Sequence, residues 1–295
     1  MHPLIASLVE KGPVVTDGSW GTQMHKRGLK RGRNPDSWNL THPEQVEDVA
    51  RLYVEAGSQI ILTNTFGASR LSLSNYKLDD KVRDINSAGV RISKQAAGGR
   101  ALVFASIGPT GRMLVTGETT ESELQKVFEE QADAQARAGA DGFIIETMID
   151  VDEARIAAQA AKQTGLPVIV SMVYDSGEDK DRTMMGNSPE EVAAVLEKLE
   201  IDGIGANCGQ GIEAFLPICK RLRQVTDLPI WMKPNAGLPE VVDDGVVFRT
   251  TPAEFVQYVP DLIRAGANFI GGCCGTDQEF VKAIRQTAAE FSAQQ

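Results

Sequence analysis

Eight short apolar runs recur along the chain, each closing in small or polar residues and followed by a stretch of helical periodicity. They occupy 13–16, 59–62, 102–105, 142–145, 167–170, 203–206, 229–232 and 268–271. The runs are apolar throughout and do not alternate, which is the pattern of strands covered on both faces. Between them lie amphipathic stretches such as 43–56, 121–138, 151–163, 189–199 and 252–265. Their apolar positions fall on one helical face, so each predicts a helix laid against a sheet. Three of these stretches end in Ala56-Gly57, Ala138-Gly139 and Ala265-Gly266, just before the next run. Glycine there predicts a left-handed C-cap, which a residue without Cβ adopts at little cost.

Strands alternating with helices predict a parallel α/β sheet, and eight such units suit a closed (β/α)₈ TIM barrel. An open doubly wound sheet would show a glycine-rich phosphate fingerprint after its first strand. Here the first run leads into Asp17-Gly18-Ser19-Trp20-Gly21-Thr22, which lacks that spacing. No linker, repeat or low-complexity segment interrupts the pattern, so residues 1–295 are expected to form one domain.

Composition narrows the function classes. The formal net charge of −10 argues against a nucleic-acid or anionic-membrane surface, which would need clustered Lys and Arg. No run approaches the ~20 apolar residues of a spanning helix, and the N-terminal stretch lacks a signal-peptide core. The expected location is therefore cytoplasmic. In that compartment the 4 cysteines are not expected to form structural disulfides.

In barrels the chemistry sits where strands end. Those ends carry Asp17, Thr63-Asn64, Ser106, Glu146, Ser171, Asn207-Cys208, Lys233 with Asn235, and Cys273-Cys274. Cys219 falls instead within the helical pattern 212–222 and is expected to be a buried structural thiol. Adjacent side chains of a regular strand point to opposite faces, so Cys273 and Cys274 could not share a metal there. The flanking Gly271-Gly272 and Gly275 are expected to let the backbone leave strand geometry and turn both sulfurs inward. With Cys208 they make a three-thiolate set, which favours Zn²⁺ over hard cations and leaves one tetrahedral position open. A centre so rich in negative charge is a poor Lewis acid for hydrolysis. It suits the binding of an incoming thiol as thiolate, and hence alkyl transfer to sulfur.

At these residues the chain resembles the homocysteine S-methyltransferase family. The resemblance runs from Asp17-Gly18 through Thr63-Asn64-Thr65-Phe66-Gly67-Ala68, Gly108-Pro109-Thr110-Gly111 and Glu146-Thr147 to Gly205-Ala206-Asn207-Cys208-Gly209, Pro234-Asn235-Ala236-Gly237 and Gly271-Gly272-Cys273-Cys274-Gly275-Thr276. It implies that Cys208, Cys273 and Cys274 hold zinc and that Asp17 and Glu146 face the ammonium group of homocysteine. Taken alone, Asp17 also reads as a turn aspartate and Glu146 as an ion-pair partner of Lys233 or Arg182. Backbone N–H groups at Gly18, Ser19 and Gly21 are expected to accept the substrate carboxylate. Asn235 reads either as a weak fourth oxygen ligand or as a loop hydrogen-bonding residue. Asn64 and Phe66 are expected at the pocket floor, and read equally well as a strand-end turn asparagine and a core phenylalanine. Trp20 and Trp38 are expected on loops near the mouth, where packing is the commoner use, and Tyr174 with Met184-Met185 on the rim.

The methyl donor is expected to be betaine or a related methylammonium compound. S-methylmethionine and a separate methyl-corrinoid protein are the alternatives. Two other classes remain: a non-catalytic zinc barrel that binds thiols, and an aldolase using Lys233 as a Schiff-base residue.

Overall fold

The computed structural model describes residues 1–242 and 245–293. The expected domain of 1–295 thus includes four positions, 243–244 and 294–295, that lie outside the described residues. Every one of the eight apolar runs contains a strand. These are β1 (Val14–Val15), β2 (Ile60–Leu62), β3 (Leu102–Ile107), β4 (Gly142–Met148), β5 (Val168–Met172), β6 (Gly203–Gly211), β7 (Ile230–Asn235) and β8 (Ala267–Ile270). All pair in parallel in the order β1-β8-β7-β6-β5-β4-β3-β2.

Among the described residues only the β1–β2 seam lacks a regular ladder, and individual bonds stitch it. The Gln59 N–H donates to the Val15 carbonyl at 2.7 Å, and the Gln59 side-chain oxygen accepts the Val15 N–H at 3.0 Å. The Asp17 carboxylate accepts the Leu62 N–H at 2.8 Å. With helices around it, the sheet makes a nearly closed (β/α)₈ barrel.

The barrel interior is filled by Val14, Ile60, Leu62, Phe104, Ile144, Ile169, Trp231 and Phe269, with Ile5 of the N-terminal helix Pro3–Val9 packed among them. Large rings demand small neighbours. A Cβ at Gly205 would lie 1.8 Å from the Trp231 carbonyl oxygen, so no other residue fits there. A second apolar layer joins the strands' outer faces to the helices. Gly57, Gly139 and Gly266 take φ of 97°, 101° and 104°, so the left-handed caps read from the sequence are present.

The stretch 252–265 departs from its expected single helix. It divides into Pro252–Phe255, a 3₁₀ turn Val256–Tyr258 and a helix Val259–Arg264. Pro260 has no N–H and its ring would collide with the preceding turn of a continuous helix. After β7 an antiparallel pair, Glu240–Val242 with Gly245–Val247, rises from the strand-end face. No helix among the described residues is long and apolar enough to cross a membrane.

Candidate metal centre

Cys208 sits where β6 breaks from its ladder, between Asn207 and Gly211. Its φ of 63° and the 73° of Gly209 turn the chain through two left-handed residues and aim the thiol across the barrel mouth. β4 breaks in the same way between Ile145 and Met148, with Thr147 at φ 60°. One buried side chain joins the two irregularities. Asn207 Oδ1 accepts the Thr147 N–H at 2.8 Å and the Ser171 hydroxyl at 2.7 Å. Its Nδ2 donates to Thr147 Oγ1 at 2.7 Å and lies 3.9 Å from Cys273 Sγ.

Cys273 and Cys274 follow β8 in a turn anchored by its own backbone. The Cys273 N–H donates to the Pro234 carbonyl at 2.7 Å, and the Cys274 N–H to Asn235 Oδ1 at 3.0 Å. The glycines serve partly as expected and partly otherwise. Gly275 has φ 82°, the left-handed backbone that frees the chain from strand geometry. Gly271 and Gly272 are required by close approach. A Cβ at Gly271 would stand 2.0 Å from Thr16 Oγ1, and one at Gly272 2.4 Å from Thr276 Oγ1.

The three sulfurs converge within 4.8 Å of one another, and Cys208 Sγ is 3.8 Å from Cys274 Sγ. Tetrahedral bonds of about 2.3 Å give a ligand-to-ligand edge of about 3.8 Å, so the cluster fits a thiolate-bound metal ion. The thiols also perturb one another. Side-chain hydrogen bonds from Cys273 and Cys274 hold Cys208 well below the usual thiol range. The same contact with Cys208, reinforced by burial and like charge, pushes Cys273 and Cys274 upward. Cys219 stands apart on the helix Phe215–Val225, where burial pushes its thiol up to about 12.

Beside the sulfurs lies a buried ion pair, Lys233 with Asp17. Asp17 is 0% exposed, and its second oxygen accepts Trp20 Nε1–H and the Leu62 N–H, both at 2.8 Å. The ammonium facing Asp17 is therefore the protein's own. Burial opposes the Lys233 charge, but Asp17 and Glu146 outweigh it and raise its pKa. A Schiff-base lysine must shed its proton, so this environment disfavours the aldolase reading.

Glu146 accepts the Ser106 hydroxyl at 2.5 Å, and burial pushes its carboxyl up to about 7 while Lys233 pulls it down. Asn64 faces elsewhere. Its side chain donates to the Pro35 carbonyl at 2.9 Å and to Asn39 Oδ1 at 3.0 Å, pinning the loop around residues 34–39. Gly18 lies against Tyr53 and Thr276, and Ser19 caps the helix Trp20–Lys26 by accepting the Thr22 N–H at 3.2 Å. Trp38 is buried and stacks on His42, with ring centroids 4.5 Å apart. Tyr174 is buried, whereas Phe66, Met184 and Met185 are exposed.

The sequence places Asn207, Ser106 and Ser171 at strand ends and Thr147 beside Glu146, but assigns them no role; the bonds that join them across the sheet are what reveals one.

Fold and site together define a barrel that gathers three thiols at its mouth, in a cluster of a size that could hold a metal ion. A profile of the family described as Homocysteine S-methyltransferase matches residues 14–288, and the chain belongs to that family of methyltransferases. Methionine synthase of Mycobacterium leprae (strain TN) is 29% identical over 297 residues, covering 94% of this chain and 24% of that protein. Methionine synthase of Mycobacterium tuberculosis (strain ATCC 25618 / H37Rv) is 27% identical over 299 residues, covering 94% and 25%. The chain thus spans about a quarter of the length of these curated relatives. Among solved structures, the oxidised form of the homocysteine methyltransferase MmuM from Escherichia coli has a TM-score of 0.82 at 22% identity, covering 97% of this chain and 99% of that one. The metallated form of the same protein gives 0.81 at 22% identity over the same shares. At that identity the likeness is one of fold.

Proposed function

We propose that the barrel holds zinc on Cys208, Cys273 and Cys274 and transfers a methyl group to the sulfur of homocysteine, giving methionine. The convergence of three thiols from two strand ends carries this reading, with membership of the family behind it. Zinc so bound supplies one chemical service, lowering the pKa of an incoming thiol so that it is held as a nucleophilic thiolate.

The chain's own residues do the rest. Asn207 and Asn235 fix the backbone on which the sulfurs ride. Glu146 faces the amino-acid end of the substrate, and Asp17 acts on it through Lys233. The N–H groups of Gly18 and Ser19 donate to no group among the described residues and are free to donate to a carboxylate. The thiolate sulfur forms the new S–CH₃ bond as the donor's bond to that methyl breaks. The electron pair stays on the donor atom, and the thiol proton leaves to solvent. Proximity and thiolate activation supply most of the rate, since a methyl group needs no acid or base.

Attack of an anionic thiolate on a cationic donor disperses charge, which favours a buried site. That suits an onium donor, of which betaine or a related methylammonium compound is the one proposed and S-methylmethionine, a sulfonium, the alternative. Four unpaired cysteines suit a reducing, cytoplasmic setting. Zinc-loaded protein should be assayed for methionine with homocysteine and, in turn, betaine, S-methylmethionine and a methyl-corrinoid protein. Turnover with betaine is expected. Homocysteine binding with no turnover of any donor would overturn the catalytic reading and leave a thiol-binding barrel.

A further inference from the structure

We propose that the chain associates with a second copy of itself across a two-fold axis, through the antiparallel ribbon Glu240–Val242 with Gly245–Val247, and that the loops on either side of the ribbon match charge between the copies. The inference goes beyond methyl transfer and stands independently of it.

The ribbon is an incomplete piece of sheet. It has no third strand among the described residues, and two strands alone in water are marginally stable. Val241 and Val246 are direct cross-strand partners, so they share one face, and they are 79% and 50% exposed. Val242 and Val247, on the other face, are exposed as well. Neither strand carries the Lys or Pro that commonly guards an exposed edge. The root of the ribbon is nevertheless fixed. The Thr250 N–H donates to the Ala236 carbonyl at 3.2 Å, and Phe248 packs so closely on Gly275 that a Cβ there would lie 2.3 Å from its Cγ. Of the strand residues only Glu240 is charged, and Arg249 pairs with it at 2.8 Å. In a chain of net charge −10, such a neutral strip is where a second copy meets least repulsion.

Charge on the two flanks selects the occupant. The ribbon follows β7, with β8 and β1 to one side and β6 and β5 to the other. Beyond β1, residues 18–35 contain five Lys and Arg and no Asp or Glu. Lys30, Arg31 and Arg33 are exposed there and make no ion pair among the described residues. The segment stays beside the strand ends, since Lys26 pairs with Asp277 at 3.2 Å and Asn64 donates to the Pro35 carbonyl at 2.9 Å. Beyond β5, residues 175–181 contain four acids and one Lys. Glu178 and Asp179 are exposed and make no ion pair among the described residues. A two-fold axis through the ribbon that crosses the rim of the barrel exchanges the two sides. The basic segment of each copy then faces the acidic segment of the other, and the match is made twice. An axis lying along the rim would set like against like. A partner of another kind that was simply acidic would use the basic flank and be repelled by the other, whereas a second copy satisfies both.

A ribbon and two loops fall short of the roughly 20–30 residues a side of a standard interface, so the association is weak, with a Kd of about 10–50 μM. Sedimentation velocity of the whole chain, under reducing conditions that prevent intermolecular disulfides, should show monomer and dimer exchanging across about 1–200 μM. Raising the salt to about 0.5 M should weaken the dimer about tenfold, because exposed charge pairs are screened. Val241→Lys changes a side chain that is already 79% exposed, so urea unfolding should be unchanged while the dimer is lost. The variants K30E/R31E/R33E and E178K/D179K should each fail to self-associate, since like charges then face each other. Their equimolar mixture should recover association to within about threefold of the wild type, because both contacts are complementary again. A wild-type chain that stays monomeric at about 200 μM overturns the proposal, as does a dimer that survives Val241→Lys. A mixture that associates no better than its components overturns the charge match and the axis drawn from it.

Discussion

Replacing Asn207 with alanine tests whether one carboxamide holds the metal centre together. The substitution removes three close hydrogen bonds, of 2.8 Å to the Thr147 N–H, 2.7 Å to the Ser171 hydroxyl and 2.7 Å to Thr147 Oγ1. Each is worth roughly 1 kcal/mol net, more where the abandoned partner stays buried and dry. Thr147 and Cys208, at φ 60° and 63°, occupy a region that costs a non-glycine residue about 1 kcal/mol or more, and the clamp is what opposes their relaxation. Together these put the loss at ~3–4 kcal/mol, with water in the vacated polar space limiting it.

Urea unfolding of the metal-free protein reads that loss, and zinc competition against a chromophoric chelator reads the site. Zinc affinity should fall by about 10–100-fold although no ligand has changed, the range seen for residues that orient ligands. Asn207→Asp separates the two effects. Its carboxylate still accepts from Thr147 N–H and Ser171, so stability falls less. It also sets an anion beside Cys273 in place of Nδ2, which is 3.9 Å from the sulfur, so zinc affinity falls as far as in the alanine variant. A loss below ~1 kcal/mol in Asn207→Ala, with zinc affinity changed less than about threefold, would refute the clamp.

Serine at Cys208, Cys273 or Cys274 should each abolish stoichiometric zinc and methyl transfer, measured as zinc per protein and methionine formed; a variant with normal zinc shows the site misassigned. Gly271→Ala should cost ~2–3 kcal/mol and weaken zinc without touching a ligand, because the new Cβ would stand 2.0 Å from Thr16 Oγ1 and 2.7 Å from the Asp17 carbonyl. Unchanged unfolding of that variant would show the strands free to part. Burial raises Asp36 from 3.8 to about 7, so below 3.8 both states are protonated and it has no effect. Between the two values the unfolded chain has lost the proton that the native state keeps, so stability falls as pH rises, levelling above about 7. Glu146, raised from 4.5 to about 7, acts with the same sign. Cys208, held low, acts with the opposite sign in the metal-free protein, so the reading is the difference between wild type and Asp36→Asn in urea midpoints from pH 4 to 8, which should shrink as pH rises; an equal slope in the variant removes Asp36 as a source.

The barrel was legible because its strands are buried on both faces and so read as uninterrupted apolar runs, with Ala-Gly caps marking where helices return. The helix Val82–Ala97 was not legible in this way. Its inner face carries Asn86, Gly89 and Ser93, which break the apolar spacing yet are buried and satisfied: Asn86 donates to the Ala68 carbonyl at 2.9 Å and Ser93 to the Leu62 carbonyl at 3.1 Å. The cysteines were found because strand ends are where barrel chemistry concentrates, and thiols there have few structural uses. The Asp17–Lys233 pair spans 216 positions of sequence and depends on how far one side chain reaches, which no local pattern encodes. The reason for Gly271 and Gly272 was likewise hidden, since close approach of Thr16 and Thr276 exists only once the barrel has closed.

Closure of the barrel and the electrostatics of the site share a residue, and this explains why the mouth contains a lysine at all. Asp17 accepts the Leu62 N–H across the one seam among the described strands without a ladder, so the fold needs its carboxylate there. The site adds Glu146 and three thiols within the same small volume. With every group ionised, five anions would face a single cation. The metal-free cluster resolves this by keeping protons: Cys273 and Cys274 are pushed upward by their neighbours, and Glu146 by burial. A bound dication replaces those protons, so its uptake must release them and grow stronger with rising pH. Lys233 is the fixed part of this balance. It pairs with the carboxylate that the seam cannot surrender, while the protons on the cysteine cluster come and go with the metal.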